Sequence, residues 1–509
     1  VFFNARNKGD FTRATKSTIN QVMKKKLFLF LVVLIVSRQN TTKKTTTVDQ
    51  EENHRPSFHF TPKNNWMNDP NGMFFFNDTY HLYFQHYPEG NVWGPMHWGH
   101  ATSENLVDWE EQPIALYPDE MGYIFSGSAV VDSNNTSGFG KDGKTPIVAI
   151  FTHHKMQKEK TEQIDVETQS IAYSLDEGMT WTKYEGNPVI ENPKIRDFRD
   201  PKVIWHQDTE QWILTLAAHD NVRFYSSPNL KDRTYLSDFG QDIGHHGGVW
   251  DCPDLFPLKE KNSGETKWVF LVSMNRRGPN QGSATQYFIG DFDGENFTLD
   301  QEFANELEHQ NNFWVDFGRD NYAGVTWQNT KKANGNKLLM GWMSNWDYAQ
   351  VVPTQKWRSS MTIAREVGLI NTENGYRLTS TPVENAFALL QKSSDKNQDL
   401  NGWKKLEFNP NFNEKVGYRL SNHLGEILEF GFDAKTNQFY VDRTAAGRKD
   451  FSEKFAHRVS FAPRISNDKT IKDIMLLDKT SIELFWDNGT TVFTEIFFPN
   501  APFTQMEKF

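Results

Sequence analysis

Between about residues 57 and 370 the apolar positions come in short runs, continuous or strictly alternating with polar ones, and Gly, Asn, Asp and Pro cut the runs apart. Pro146 to Thr152, Trp212 to Ala218, Trp268 to Ser273 and Lys337 to Met343 are runs of this kind, and His81-Leu82-Tyr83-Phe84-Gln85 is another. A period of two with frequent turn residues predicts strands, and no long stretch keeps the 3.6-residue period of an amphipathic helix. The reading is all-β.

A repeated turn refines it. Ser103 to Trp109 matches Ser174 to Trp181, and Ser226 to Asp232 is a weaker third copy. Each copy lies between two strand-like runs. The second copy, Ser-x-Asp-x-Gly-x-Thr-Trp, resembles the Asp-box turn of β-propeller blades, and copies roughly 50–70 residues apart fit four-stranded blades. Residues 57–370 therefore predict a five-bladed β-propeller. Residues 371–400 read as a polar linker with one short helix, Val383 to Gln391. From 401 to 509 alternating strands return, as in Glu426 to Phe432, Gln438 to Val441 and Ser481 to Trp486, and predict a separate β-sandwich.

Residues 1–56 read differently. Lys24-Lys25-Lys26 precedes an apolar run from Leu27 to Val36, with Met23 as a plausible start. A basic segment before an apolar run of this length predicts an export signal, too short to span a bilayer. Ser37 to Asn53 reads as a flexible tether. Ile35-Val36-Ser37 resembles a lipoprotein cleavage box, but Arg38 stands where the lipidated Cys belongs, so export without a lipid anchor is expected. Cys252 is the sole cysteine, which excludes an intrachain disulfide despite an oxidising destination. A net charge of −10 with no basic stripe argues against a nucleic-acid partner. The 16 Trp and 40 Phe are a surplus that often supplies flat faces for stacking sugars, although most of them must be core.

Three carboxylates stand in guarded positions. In Trp66-Met67-Asn68-Asp69-Pro70-Asn71-Gly72, Pro70 pushes Asp69 toward extended geometry, and Asn71-Gly72 is a hairpin-turn pair. Asp69 is thus expected at a strand end, pinned by a turn. In Arg199-Asp200-Pro201 the adjacent guanidinium is expected to hold Asp200 ionised. In Trp250-Asp251-Cys252-Pro253, apolar neighbours are expected to raise the Asp251 pKa, as a general acid requires. Taken alone, each aspartate is more often an ordinary turn or ion-pair residue. Taken together, each lies near the start of a blade, and blade starts converge on one funnel.

These segments, with Phe125-Ser126-Gly127-Ser128, are similar in this order to the signatures of glycoside hydrolase family 32, the invertases, inulinases, levanases and fructan exohydrolases. The resemblance runs from about residue 57 to the carboxyl terminus. It implies cleavage of β-fructofuranosyl bonds with retention and no cofactor. It implies that Asp69 is the nucleophile, that Asp200 with Arg199 stabilises the transition state, and that Asn68, Gln85, Trp93, Phe125 and Ser126 bind fructose. Trp66 and Trp342 are expected to line the pocket, and Asp316 is a weaker candidate. Gly290 to Gly294 resembles a framework turn and lacks the pattern of a calcium loop, so no metal is expected.

One departure matters. The family pattern has Glu-Cys-Pro where this chain has Asp251-Cys252-Pro253. Asp keeps the acid but shortens its reach by about 1.5 Å, one C–C bond. Hydrolysis is the primary expectation. A fructosyltransferase is a second, a fructan-binding propeller with a weakened site a third, and an arabinan-cleaving propeller a fourth, which the Trp66–Gly72 segment opposes. Sucrose, inulin and levan all remain open as substrates, as do endo and exo cleavage.

Overall fold

The computed structural model describes residues 54–309, 313–330, 332, 334–387, 400–411 and 413–509. Residues 1–53 of the leader lie outside them, as do residues 388–391 of the expected linker helix, of which 384–387 are helical.

Five antiparallel sheets follow one another along the chain, each led by one strand that faces a common axis. These inner strands are Asn65–Phe76, Tyr123–Val131, Phe198–His206, Trp250–Lys259 and Tyr322–Thr326. Each packs against the next, and the fifth packs against the first, so the ring closes. The first sheet also takes a short parallel partner from the far end of the ring, pairing Asn65 with Trp357 and Trp66 with Arg358. The fifth sheet is finished by the hairpin Arg365–Thr372 and Gly375–Pro382. The boundary expected near 370 thus falls inside a strand, because this hairpin is needed to complete the blade.

The repeated turns occupy one place in the architecture. Ser103–Trp109, Ser174–Trp181 and Ser227–Asp232 each join the third strand of a blade to the fourth. Each is tied by a side chain to backbone N–H groups. Ser103 Oγ accepts from Leu106 at 2.8 Å, Asp176 Oδ1 from Thr180 at 2.9 Å, and Asn229 Oδ1 from Asp232 at 2.9 Å. Asp293 closes the same corner in the fourth blade, accepting from Asn296 N at 2.7 Å. The Gly290–Gly294 segment is therefore the fourth copy of the turn.

Two helices among the described residues escaped the sequence reading, the single turn Met156–Glu159 and a longer one. Gln301–His309 links the fourth and fifth blades and buries Phe303. Its signal was present: Asp300 accepts from Glu302 N and Phe303 N, as an N-cap does.

Two sheets built from residues 402–508 face each other as the sandwich, which packs on the fifth blade. The chain just ahead of the first blade also reaches it. His59 is fully buried there, 2.9 Å from Asp478 and 2.8 Å from Glu483. Burial alone would lower the His59 pKa, but the two carboxylates outweigh it and raise it to about 9. A raised pKa gives stability that is present below the ordinary value of 6.5 and lost as pH rises through about 9. The urea midpoint is expected to fall between pH 7 and pH 10, and by less in His59→Gln. An equal fall in both proteins would remove His59 as the cause.

Candidate active site

The five inner strands share a device. Each carries a β-bulge near its start, between Met67 and Pro70, between Ile124 and Gly127, around Asp200-Pro201, between Asp251 and Asp254, and between Tyr322 and Val325. A bulge breaks the strict alternation of a strand and re-aims side chains. Asp200, Cys252 and Ala323 take left-handed φ values of 63°, 47° and 54° at these places. Such backbone costs energy for any residue but Gly and persists where the surroundings hold it.

The first strand corrects the sequence reading most. Asn71-Gly72 is no hairpin turn. It continues inside the strand through a second register break, between Asn71 and Phe74. Gly72 has φ +52°, and a Cβ there would lie 2.8 Å from both Trp98 and Tyr83. The actual turn is Asn77-Asp78, both with positive φ. Asp69 therefore stands within a strand, not at its end.

The bulges bring one group from each strand to a single pocket of about 250 Å³, where Asp69, Ser126, Asp200, Asp251 and Tyr322 meet. Ser126 donates to Asp69 Oδ2 at 2.9 Å, while the buried Asp69 Oδ1 accepts no hydrogen bond from the described residues. Cys252 N donates to Asp200 Oδ2 at 3.0 Å, and the Cys252 thiol lies 3.5 Å from the same oxygen. Asp251 is gripped from both sides: Arg199 Nε donates to Oδ1 at 2.9 Å and Tyr322 OH to Oδ2 at 2.5 Å.

The electrostatics follow from burial. Burial pushes the Asp69 pKa up against the Asn68 and Ser126 side chains. Burial and the Asp251 charge push Asp200 well above the carboxylate range. Burial raises Asp251 to about 6, with Arg199 and Tyr322 opposing. The expectation for Asp251 is met. The expectation that Arg199 holds Asp200 ionised is not, because the guanidinium turns to Asp251, Asp197 and Glu167 instead.

Asn68, Gln85, Trp93, Phe125 and Arg199 also line the pocket. Trp66 and Trp342 do not. Both are fully buried beneath Trp346, with ring centroids 6.0 and 5.0 Å from it, and Trp346 is the indole that reaches the pocket. The pair supports the wall rather than forming it. Asp316 is elsewhere, because it is bound to Arg365 at 2.8 Å and Thr494 at 2.6 Å between propeller and sandwich. Tyr322, Trp346, Glu167, His154 and Asn275 line the pocket and were missed. For Tyr322 a signal existed: four inner strands had supplied a group, so a fifth was due at the start of the last.

The family model for the glycosyl hydrolases family 32 N-terminal domain matches residues 59–382, and that for the family 32 C terminal matches 372–509. The chain belongs to glycosyl hydrolases family 32. The first match ends where the last strand of the fifth blade ends. Among curated relatives, a levanase of Bacillus subtilis (strain 168) is 44% identical over 475 residues, covering 88% of this chain and 67% of its own. An extracellular exo-inulinase of Aspergillus awamori is 38% identical over 492 residues, covering 89% and 90%. The crystal structure of exo-inulinase from Aspergillus awamori superposes with a TM-score of 0.78 at 35% identity, covering 89% and 95%. This family 32 chain is accordingly a glycoside hydrolase of the β-fructofuranosidase type. Its all-β propeller and sandwich agree with the fold expected from the repeated turns.

Proposed function

We propose that the protein is an exported enzyme that removes fructosyl units from levan, inulin or sucrose by double displacement. Asp69 attacks the anomeric carbon. Asp251 delivers a proton to the leaving oxygen and later takes one from water. Asp200 faces the sugar between them, and Trp93, Phe125 and Trp346 give it apolar walls. Export is supported by the basic and apolar stretch Lys24–Val36 and by the extracellular relative. No helix among the described residues is long and apolar enough to cross a membrane.

The observation that carries this reading is the meeting of three buried carboxylates from three inner strands in one pocket. Two jobs need two protonation states. In the first half-reaction Asp251 works only when protonated. Its pKa of about 6 keeps it loaded through mildly acid pH and unloads it above. Asp69 works only when ionised, so activity also falls on the acid side. A bell-shaped kcat/KM profile with its alkaline limb near pH 6 is expected, the limbs belonging to the carboxylate cluster as a whole. Purified protein is expected to release free fructose from the three substrates, first seen by NMR with the anomeric configuration retained. An inverted first product would end the double-displacement reading. Tight binding without release would make the protein a fructan-binding propeller.

A further inference from the structure

We propose that Tyr322 is a catalytic residue: its hydroxyl relays the proton between Asp251 and the glycosidic oxygen, restoring the reach of an acid one methylene short. The inference rests on the reading of Asp251 as acid/base.

The two oxygens of Asp251 are not equivalent. Oδ1 accepts from Arg199 Nε at 2.9 Å and lies 2.8 Å from Arg199 Nη2. A guanidinium has donors only, so a proton on Oδ1 would point at N–H groups. The carboxyl proton therefore belongs on Oδ2, and Oδ2 faces the Tyr322 hydroxyl at 2.5 Å. When Asp251 is ionised, Tyr322 donates to it. When Asp251 is protonated, the bond reverses, and the phenolic O–H is released to donate elsewhere. Asp251 and Tyr322 both line the pocket that holds Asp69.

Tyr322 is well placed for this. It begins the fifth inner strand just ahead of the Ala323-Gly324 bulge. Its ring stands edge-on to Trp342 at 6.1 Å and to Trp346 at 6.4 Å, which fixes where the hydroxyl can lie. Burial and the Asp251 charge keep the phenol protonated, so it passes protons without ending as a phenolate.

In the first half-reaction the Tyr322 O–H bond breaks and its proton goes to the glycosidic oxygen. The bond from that oxygen to the anomeric carbon breaks, and the bond from Asp69 forms. The Asp251 Oδ2 proton moves to the Tyr322 oxygen. The leaving group departs as an alcohol, Asp251 is left ionised and Tyr322 is unchanged. In the second, water gives a proton to Tyr322 as Tyr322 returns one to Asp251. The water oxygen bonds to the anomeric carbon, and the ester bond to Asp69 breaks.

The test begins with the wild-type enzyme. A solvent-deuterium proton inventory on sucrose is expected to be curved, with two protons in flight, and to become linear in Asp251→Glu, whose side chain reaches by itself. Tyr322→Phe is expected to lower kcat on sucrose roughly 10²-fold or more with little change in KM, and to cost under about tenfold on a nitrophenyl β-fructofuranoside, whose leaving group needs no proton. In the Asp251→Glu background the Tyr322→Phe loss on sucrose is expected to shrink to about tenfold or less. A linear inventory in the wild type, or equal losses in both backgrounds, would overturn the relay and leave Tyr322 as a residue that only positions Asp251. Near-full sucrose hydrolysis by Asp251→Asn would instead overturn the reading of Asp251 on which the relay depends.

Discussion

Asp69→Asn is expected to lose turnover by roughly 10⁴–10⁶-fold, the scale seen when a covalent nucleophile is removed from a hydrolase. The substitution is nearly isosteric, so the effect is chemical. Asp69 is 7% exposed and its Oδ2 is held by the Ser126 hydroxyl and faced by the Cys252 thiol, contacts that a carboxamide oxygen can keep. The remaining position, now an amide nitrogen, has no lone pair to give to carbon. Removing the charge also relieves Asp200 and Asp251, whose pKa values Asp69 helps to raise. Calorimetric titration with fructose is therefore expected to show binding retained while fructose release from sucrose stops. Asp69→Ala, which cannot revert by deamidation, should be equally inert. Activity within tenfold of wild type in either variant would exclude Asp69 as the nucleophile.

Arg365→Met is expected to destabilise the folded chain by about 3–5 kcal/mol, the cost of leaving buried partner charges unpaired. Arg365 is fully buried between propeller and sandwich. It meets Asp316 at 2.8 Å, Glu483 at 2.5 Å and Thr494 Oγ1 at 2.6 Å. Asp316 also accepts from the backbone of Gly318 and Thr494, both at 2.8 Å. Methionine fills similar space but leaves two carboxylates in a dry interface, with His59 the other cation beside Glu483. Chemical denaturation followed by tryptophan fluorescence measures the loss. Adding Glu483→Gln to the variant is expected to recover part of it. A loss below about 1 kcal/mol would show that water reaches the interface and screens the charges. Substitutions at Asp316 fall under the same expectation: a lower denaturation midpoint, with KM little changed.

The architecture was legible because its signals are local. Strand alternation and the Ser, Asp and Asn corner turns are written in neighbouring residues, and the turns kept one position through successive blades. The short Gln301–His309 helix was lost among strands, although Asp300 marked its start. The carboxylates were legible as motifs, but their surroundings were not. Whether Arg199 turns to Asp200 or Asp251 depends on a bulge in one blade and a side chain in the next. Trp66 and Trp342 carry the composition of a sugar platform, yet Trp346 lies over both, and sequence spacing does not say which indole of a stack is outermost. Asp316 illustrates the same limit, because its partner Arg365 and the sandwich residue Thr494 are distant along the chain. Asn71-Gly72 misled for a related reason. A left-handed glycine serves a bulge as well as a turn, and only the partner strand tells them apart.

The ring closure has a consequence for when the enzyme becomes an enzyme. Asp69 emerges early from the ribosome, yet the strand start that carries it pairs in parallel with Trp357-Arg358, and Tyr322 must arrive from the fifth blade before Asp251 has its hydroxyl partner. A nascent chain holding the first four blades has all three carboxylates and no closed funnel to gather them. In this fold the site is complete only when the fifth blade has closed the ring.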